Sequence, residues 1–129
     1  FYVKPIRAAT VTSNVMIYDA ANGEVIDCTG VTVSSSGDVT ATGDITAYSD
    51  RRLKTNVQRI ENALDKVCAL GGYTFTMNEK PSTGLIAQEV LEVLPEAVHG
   101  SEETQYSLAY GNMIGLLVEA VKELKEKIG

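Results

Sequence analysis

Two side chains five residues apart, Ser49 and Lys54, are of types that could do chemistry together. A serine hydroxyl is a weak nucleophile and needs a base to take its proton. A lysine is a base only when neutral, and because its ordinary pKa is about 10.4, activity near pH 7–8 requires a pKa lowered by roughly 2–3. Burial and nearby cations both act in that direction, and Arg51 and Arg52 are candidate cations. Asp50 would oppose the change if it paired with Lys54.

The spacing of this pair constrains its geometry. Because an extended strand advances about 3.3 Å per residue, Ser49 and Lys54 can meet only across a turn or a helix start, or if the lysine comes from a neighbouring chain. Attack of the Ser49 hydroxyl on the carbonyl of Tyr48 would pass through a five-membered ring, and the resulting ester would then be hydrolysed. Judged by residue type alone, a serine and a lysine five residues apart are expected to have structural roles. A catalytic role for the pair therefore depends on the surrounding sequence.

Other kinds of site have little support. His99 is the single histidine, which argues against a zinc site and a Ser-His-Asp triad, although it could act as a general base. Cys28 and Cys68 lack metal or redox spacing, and we expect reduced, mostly buried thiols. The net charge of −6 and the scattering of Lys and Arg, apart from a short cluster at residues 51–54, argue against nucleic-acid binding. We expect no cofactor and no metal.

The chain has 129 residues, begins at Phe1 and has no signal-peptide pattern, so we interpret it as a fragment of a longer protein. No apolar stretch approaches the roughly 20 residues that span a bilayer, so we expect a soluble protein with no membrane contact. Composition changes near residue 49. We therefore predict two domains, residues 1–48 and residues 49–129.

Residues 1–48 have strand-and-turn composition, rich in Val, Ile, Thr and Ser. Short apolar runs are broken at residues 22–23, 29–30 and 36–37, and the first of these pairs, Asn-Gly, signals a tight turn. A six-residue repeat follows: residues 37–42 and 43–48 share the pattern Gly-Asp-Val/Ile-Thr-Ala. Such a unit cannot bury an apolar face alone. The repeat is either a chance similarity between hairpin strands or the last rungs of an intertwined β-stalk.

The second half is typical of an α+β domain. A capping box at residues 55–58 opens a predicted helix that Gly71-Gly72 ends. Along the remaining sequence we predict a strand at 73–77, a loop at 78–84, a short helix at 86–94, a strand at 105–110 and a final helix at 112–128. The predicted fold class is α+β: a β-rich stalk end, then a mixed helical and β domain ending in a long C-terminal helix, assembled as a homotrimer.

The final helix carries a heptad pattern. Its apolar residues are spaced by three and four positions and are Ile114, Leu117, Val121, Leu124 and Ile128. Mixed Ile, Leu and Val at such positions allow trimers as well as dimers of a coiled coil. Since only two heptads are present, the same residues could instead be the core face of a globular helix. The charged residues of this helix, including Glu123, are expected to solvate its other face.

Residues 49–57, Ser-Asp-Arg-Arg-Leu-Lys-Thr-Asn-Val, resemble the opening signature of the peptidase S74 family, the intramolecular chaperone of phage tailspikes, tail fibres and neck appendages. The likeness continues in order at residues 63–67, 72–75, 83–90, 94–98 and 117–124. It implies a homotrimer that holds three chains while the upstream β-stalk of the same polypeptide folds. It further implies cleavage between Tyr48 and Ser49, with Ser49 as nucleophile and Lys54 as base.

Further roles follow from this resemblance. Asp50, Arg51 and Arg52 are candidate supporting residues. Gln88 and Glu89 are either plain surface residues or residues that buttress the cleavage site or contact a neighbouring chain. Assembly is expected in the host cytoplasm, with the mature fibre on the virion tail and the chaperone domain released.

The favoured function is thus a self-processing, single-turnover assembly chaperone. The alternative is a permanent trimerisation or receptor-binding tip without chemistry. A conventional hydrolase would need a pocket and a fuller catalytic set than the sequence contains.

Overall fold

The computed structural model describes residues 13–129. They belong to two compact units, the first ending at Lys54 and the second running from Thr55 to Gly129. Sheets and helices are both present, which confirms the predicted α+β class. The predicted domain boundary after residue 48 stays a prediction, and residues 1–12 of the predicted β-rich half lie outside the described residues.

In the described part of the first unit, three antiparallel strands form a sheet in the order β1 (Ser13–Asp19), β2 (Glu24–Val33) and β3 (Val39–Ala41). The predicted turn between β1 and β2 is confirmed: Gly23 has a φ of +72° and donates its N–H to the carbonyl of Asp19 at 2.8 Å. Glycine adopts this conformation without steric cost. The predicted turn before β3 is confirmed as well, with the N–H of Gly37 bound to the carbonyl of Ser34 at 3.0 Å.

The predicted break at residues 29–30 is wrong, because both residues lie inside β2. The strand pairing changes register near this point: Asn14 pairs with Thr32, whereas Val15 pairs with Cys28. Residues 29–31 of β2 have no partner in β1, so the pairing between the two strands is irregular at this point. A Thr-Gly pair that is typical of a turn is therefore accommodated within a strand.

Residues 14–54, in the described part of the first unit, contain no buried core. Only the first copy of the six-residue repeat contains a strand, β3, and residues 44–50 have no regular secondary structure. None of residues 14–54 is buried, and Met16, Tyr18 and Val25 are each at least 60% exposed. Exposed apolar side chains on a small sheet are expected of an element that needs stacking neighbours to bury its apolar face.

The second unit contains three helices and two hairpins, in the chain order α1 (Ala63–Cys68), β4 (Tyr73–Met77), β5 (Lys80–Gly84), α2 (Ala87–Val93), β6 (Val98–Ser101), β7 (Gln105–Leu108) and α3 (Ile114–Ile128). β4 pairs with β5, and β6 pairs with β7. The core is drawn from the helices and adjoining segments and consists of Ala63, Val90, Leu94, Ala97, Met113, Leu116 and Ala120. The predictions of β4, α2, β7 and α3 are confirmed, whereas β6 was not predicted.

The first helix of this unit is shorter than predicted. α1 begins at Ala63, so the capping box at residues 55–58 is wrong. Asn56 and Asn62 have left-handed φ angles of 52° and 53°. A left-handed residue interrupts a right-handed helix, and asparagine is one of the few residues other than glycine that adopts this conformation readily.

The predicted role of Gly71-Gly72 as a helix stop is also wrong, because α1 ends earlier, at Cys68. A side chain at position 71 would collide with the ring of Tyr73. A residue larger than glycine at position 71 would therefore displace this ring from its observed position. Cys68 is exposed, which corrects the expectation of mostly buried thiols.

Residues 78–84 do not form the predicted loop, because β5 lies there and pairs with β4. The connecting turn consists of Asn78 and Glu79, with φ angles of 52° and 63°. Positive φ at both central residues is the type I′ pattern that matches strand twist, although Asn-Gly is its usual sequence. Pro81 is tolerated because β5 belongs to a two-stranded sheet and lies at its edge.

The final helix, α3, follows a 3-10 turn at Tyr110–Met113 and begins two residues later than predicted. Leu116 and Ala120 pack on one side of it into the core. Among the described residues, no helix has the combination of length and apolar character needed to cross a bilayer.

Candidate active site

A short 3-10 turn at Arg51–Leu53 brings Lys54 back towards Ser49. The turn is closed by the N–H of Leu53, which donates to the carbonyl of Asp50 at 3.0 Å. The ammonium of Lys54 then donates a hydrogen bond to Ser49 Oγ at 2.7 Å. The chain's own turn is therefore sufficient to bring the two side chains together.

The carboxylate of Asp50 starts this turn. Its Oδ1 accepts the backbone N–H of Arg52 at 2.8 Å, and the Arg52 guanidinium donates to Oδ2 at 2.7 Å. These bonds, chiefly the one from the guanidinium, hold the pKa of Asp50 below its ordinary value and raise the pKa of Arg52. Asp50 was expected to oppose catalysis if it paired with Lys54, but in the structure it pairs with Arg52.

The site is open to solvent in the single chain. Ser49 and Lys54 are exposed, and the side chain of Tyr48 is 95% exposed. Arg51 and Arg52, the candidate cations, lie in the turn next to the lysine. The burial that was expected around the lysine is absent from the described residues of one chain.

Two further candidates, Gln88 and Glu89, lie in the second unit. Gln88 is exposed on α2. Glu89 is partly buried, and its Oε1 accepts the N–H of Gly71 at 3.1 Å and the hydroxyl of Tyr73 at 3.2 Å. Glu89 is therefore more than a plain surface residue, while any part in cleavage stays a prediction. His99 is exposed on β6.

The predicted heptad seam of α3 is exposed. Its members, between 44% and 81% exposed, are Ile114, Leu117, Val121, Leu124 and Ile128. Leu116 and Ala120, on another face of the helix, are the residues that pack into the core. The seam is thus not the core face of its own unit. It forms an apolar surface that the described residues of the chain do not cover.

Glu123 has a role that its position in the heptad pattern does not predict. Its carboxylate accepts the N–H of Ala63 at 2.7 Å and that of Leu64 at 3.4 Å, so it caps α1 in place of a local side chain. The expectation that it only solvates α3 is wrong. A signal was available: Glu123 continues the core-facing series of Leu116 and Ala120 at helical spacing, and a carboxylate there needs a partner.

Comparisons with known proteins bear on the same segment. Residues 49–99 match the family model of peptidase S74, described as the chaperone of endosialidase. The chain is 40% identical over 91 residues to the long tail fiber protein Gp37 of Enterobacteria phage K3 and of phage T2, covering 62% of this chain and 7% of each relative. It is 38% identical over 94 residues to Gp37 of Enterobacteria phage M1, covering 62% of this chain and 37% of that relative.

The chain therefore spans a small part of the length of the relatives it matches. The family match begins at Ser49, the residue that receives the hydrogen bond from Lys54. The motifs that follow Ser49 along the chain and the family match that begins at Ser49 point to the same family. Residues 49–99 are thus similar to the peptidase S74 family, described as the chaperone of endosialidase.

Proposed function

We propose that this chain is part of a phage tail-fibre precursor, in which residues 49–129 act as an intramolecular chaperone for the preceding β-rich segment. The chaperone drives homotrimer formation and then separates by cleavage between Tyr48 and Ser49. The relatives named above are tail fibre proteins by name, which supports placing the mature fibre on a virion tail after assembly in the host cytoplasm.

The observation that carries the proposal is the 2.7 Å contact between Lys54 Nζ and Ser49 Oγ. It lies directly after Tyr48, whose carbonyl the serine hydroxyl would attack. A nucleophile beside a base is the arrangement that covalent catalysis requires. The match to a peptidase family over residues 49–99 agrees with this assignment.

In the proposed reaction, neutral Lys54 accepts the proton of the Ser49 hydroxyl while Oγ bonds to the carbonyl carbon of Tyr48. The C–N bond to Ser49 then breaks, and its nitrogen takes up a proton, which leaves an ester between the two residues. Water hydrolyses this ester, releasing the carboxylate of Tyr48 and restoring the hydroxyl and free amino group of Ser49. The chain is its own substrate, so it turns over once.

Trimerisation is supported by two surfaces that the single chain leaves uncovered. The sheet of the first unit has no buried residue among positions 14–54. The seam of α3 presents five apolar side chains to solvent, from Ile114 to Ile128. Burial of such surface against other copies of the chain is favourable by about 25 cal/mol per Å². The upstream stalk of the same polypeptide is the other proposed partner.

The decisive experiment is intact-mass analysis of the wild type beside Ser49→Ala. We expect the wild type to yield fragments 1–48 and 49–129, with a new N-terminus at Ser49, and the variant to stay whole. A wild type that remains intact after assembly would favour the alternative, a permanent trimerisation or receptor-binding tip. Normal cleavage in Ser49→Ala would remove the serine from the mechanism.

The chaperone role has a separate test. A chain that ends at Tyr48 and includes its upstream stalk should misfold or aggregate, because its strand edges are exposed before assembly. The same stalk joined to residues 49–129 with Ser49→Ala should form the trimer without being cut. Unaided folding of the truncated stalk to the native trimer would contradict the chaperone role.

A further inference from the structure

The side chain of Asp50 is engaged entirely by one neighbour. Oδ1 accepts the backbone N–H of Arg52 at 2.8 Å and its Nε at 3.0 Å, and Oδ2 accepts its Nη2 at 2.7 Å. One carboxylate thus caps the turn and forms a forked ion pair, a geometry that arginine provides and lysine does not.

The turn that this carboxylate caps has little else to hold it. It is three residues long, Arg51–Leu53, and none of these residues is buried. A 3-10 turn of this length has few hydrogen bonds of its own. Without the turn, five extended residues would separate Ser49 from Lys54 by roughly 16 Å. The cap that Asp50 provides therefore helps to determine whether the side chains of Ser49 and Lys54 meet.

The same ion pair also occupies the Asp50 carboxylate, which could otherwise pair with Lys54 in place of the serine hydroxyl. The charged and titratable groups in the segment around Lys54 are Tyr48, Asp50, Arg51 and Arg52, and at neutral pH Asp50 is the anion among them. A free carboxylate beside a lysine stabilises the ammonium, which cannot act as a base. In the structure the carboxylate is bound to Arg52, and Lys54 is bound to the serine hydroxyl.

We propose that Asp50 and Arg52 are a positioning pair for the cleavage reaction: they hold the turn that presents Lys54 to Ser49, and their mutual bond keeps the carboxylate away from the lysine. This inference rests on the proposed cleavage between Tyr48 and Ser49. Neither residue touches the reacting atoms, so both act through Lys54.

The test is the cleavage rate as a function of pH in single variants of the full chain. Arg52→Ala frees the carboxylate, so cleavage should slow by at least about tenfold near neutrality. Its rate profile should also move to higher pH by about one unit or more. Arg51→Ala is the matched comparison, because it removes the same charge from the same turn and leaves the Asp50–Arg52 pair intact. Its profile should move less.

Variants at Asp50 separate the two parts of the role. Asp50→Asn keeps an oxygen that can cap the turn and loses the negative charge, whereas Asp50→Ala loses both. We expect Asp50→Ala to be the slower of the two. In the double variant Asp50→Asn with Arg52→Ala, the pH profile should return towards that of the wild type, because no carboxylate remains to hold the lysine proton. The rate should stay low, because the ion pair that holds the turn is still missing. A purely structural role would lower the rate without moving the profile.

Failure of this inference is distinguishable from failure of the proposed function. If the wild type cleaves and Ser49→Ala does not, equal rates and equal pH profiles for Arg52→Ala and Arg51→Ala would overturn the positioning pair alone. If the wild type does not cleave, the proposed function is overturned and the positioning pair with it. Circular dichroism and light scattering of each variant establish that it folds and assembles before rates are compared.

Discussion

Lys54 places its ammonium nitrogen 2.7 Å from the hydroxyl oxygen of Ser49, five residues earlier in the chain. A turn of three residues, Arg51–Leu53, makes this contact, and no buried side chain is involved in it. The protonated lysine donates to the serine, whereas the neutral lysine would accept the serine proton. The contact can therefore serve catalysis only when Lys54 is neutral.

Lys54→Arg should abolish cleavage, because a guanidinium stays protonated and cannot accept the serine proton. Loss of a general base typically lowers a rate by about 100- to 10,000-fold. The measurement is the appearance of fragment 49–129 over time by mass spectrometry. Lys66→Arg, the same change on α1, is the control and should cleave like the wild type. Cleavage of Lys54→Arg at the wild-type rate would exclude the lysine as base.

The contact within one chain also predicts that the pair acts in that chain. Two variants, Ser49→Ala and Lys54→Ala, carrying tags of different mass, should both stay intact when they are co-assembled, because each chain lacks one member of the pair. Wild type co-assembled with Ser49→Ala controls for assembly, since the wild-type chains should be cut. Cleavage of Lys54→Ala chains in the mixture would mean that a neighbouring chain supplies the lysine.

The exposed side chain of Tyr48 predicts tolerance at this position. It is 95% exposed, so it contributes little binding that could differ between ground state and transition state. Tyr48→Ala should therefore change the cleavage rate by less than about tenfold, equivalent to about 1.4 kcal/mol. Mass spectrometry should still place the new N-terminus at Ser49. A much larger loss would indicate that assembly forms a pocket for the ring.

Two adjacent leucines on α3 should respond differently to substitution. Leu116 is fully buried and Leu117 is 50% exposed on the seam. Leu116→Ala should destabilise the second unit by about 2–5 kcal/mol, measured by denaturant unfolding. Leu117→Asp should leave the helix content of dilute protein unchanged and weaken the proposed trimer, since a charge would be buried at the seam. Light scattering over a dilution series measures assembly, and an undiminished trimer in Leu117→Asp would contradict the seam.

Tyr73 should ionise at higher pH than an ordinary tyrosine. Its hydrogen bond to Glu89, followed by the charge of Glu89, raises the pKa of the phenol above 10.0. Since the folded-state pKa is the higher one, the stabilisation from this bond is complete below about pH 10 and is lost as the pH rises through the raised pKa. The ultraviolet titration difference between wild type and Tyr73→Phe isolates this phenol. Glu89→Gln should lower its pKa, and an unchanged titration would contradict the assignment.

Several features of this protein depend on neighbours in sequence and could therefore be predicted. The turn at Gly23 follows from an Asn-Gly pair, and α2 and α3 follow from apolar residues at helical spacing. The pairing of Ser49 with Lys54 was predicted from the family signature, and a turn between them was one of the arrangements the spacing allowed. In each case the backbone preference and the hydrogen bonds that satisfy it lie within a few residues.

Other features were decided by contacts between distant segments. α1 begins at Ala63 because Asn62 turns left-handed and the carboxylate of Glu123, far along the chain, caps the helix. Both Leu116 and Leu117 are apolar, and only packing against α1 and the rest of the core selects the face that carries Leu116. Burial depends on which surfaces meet in space, and that information is not contained in the spacing of residues along a single helix.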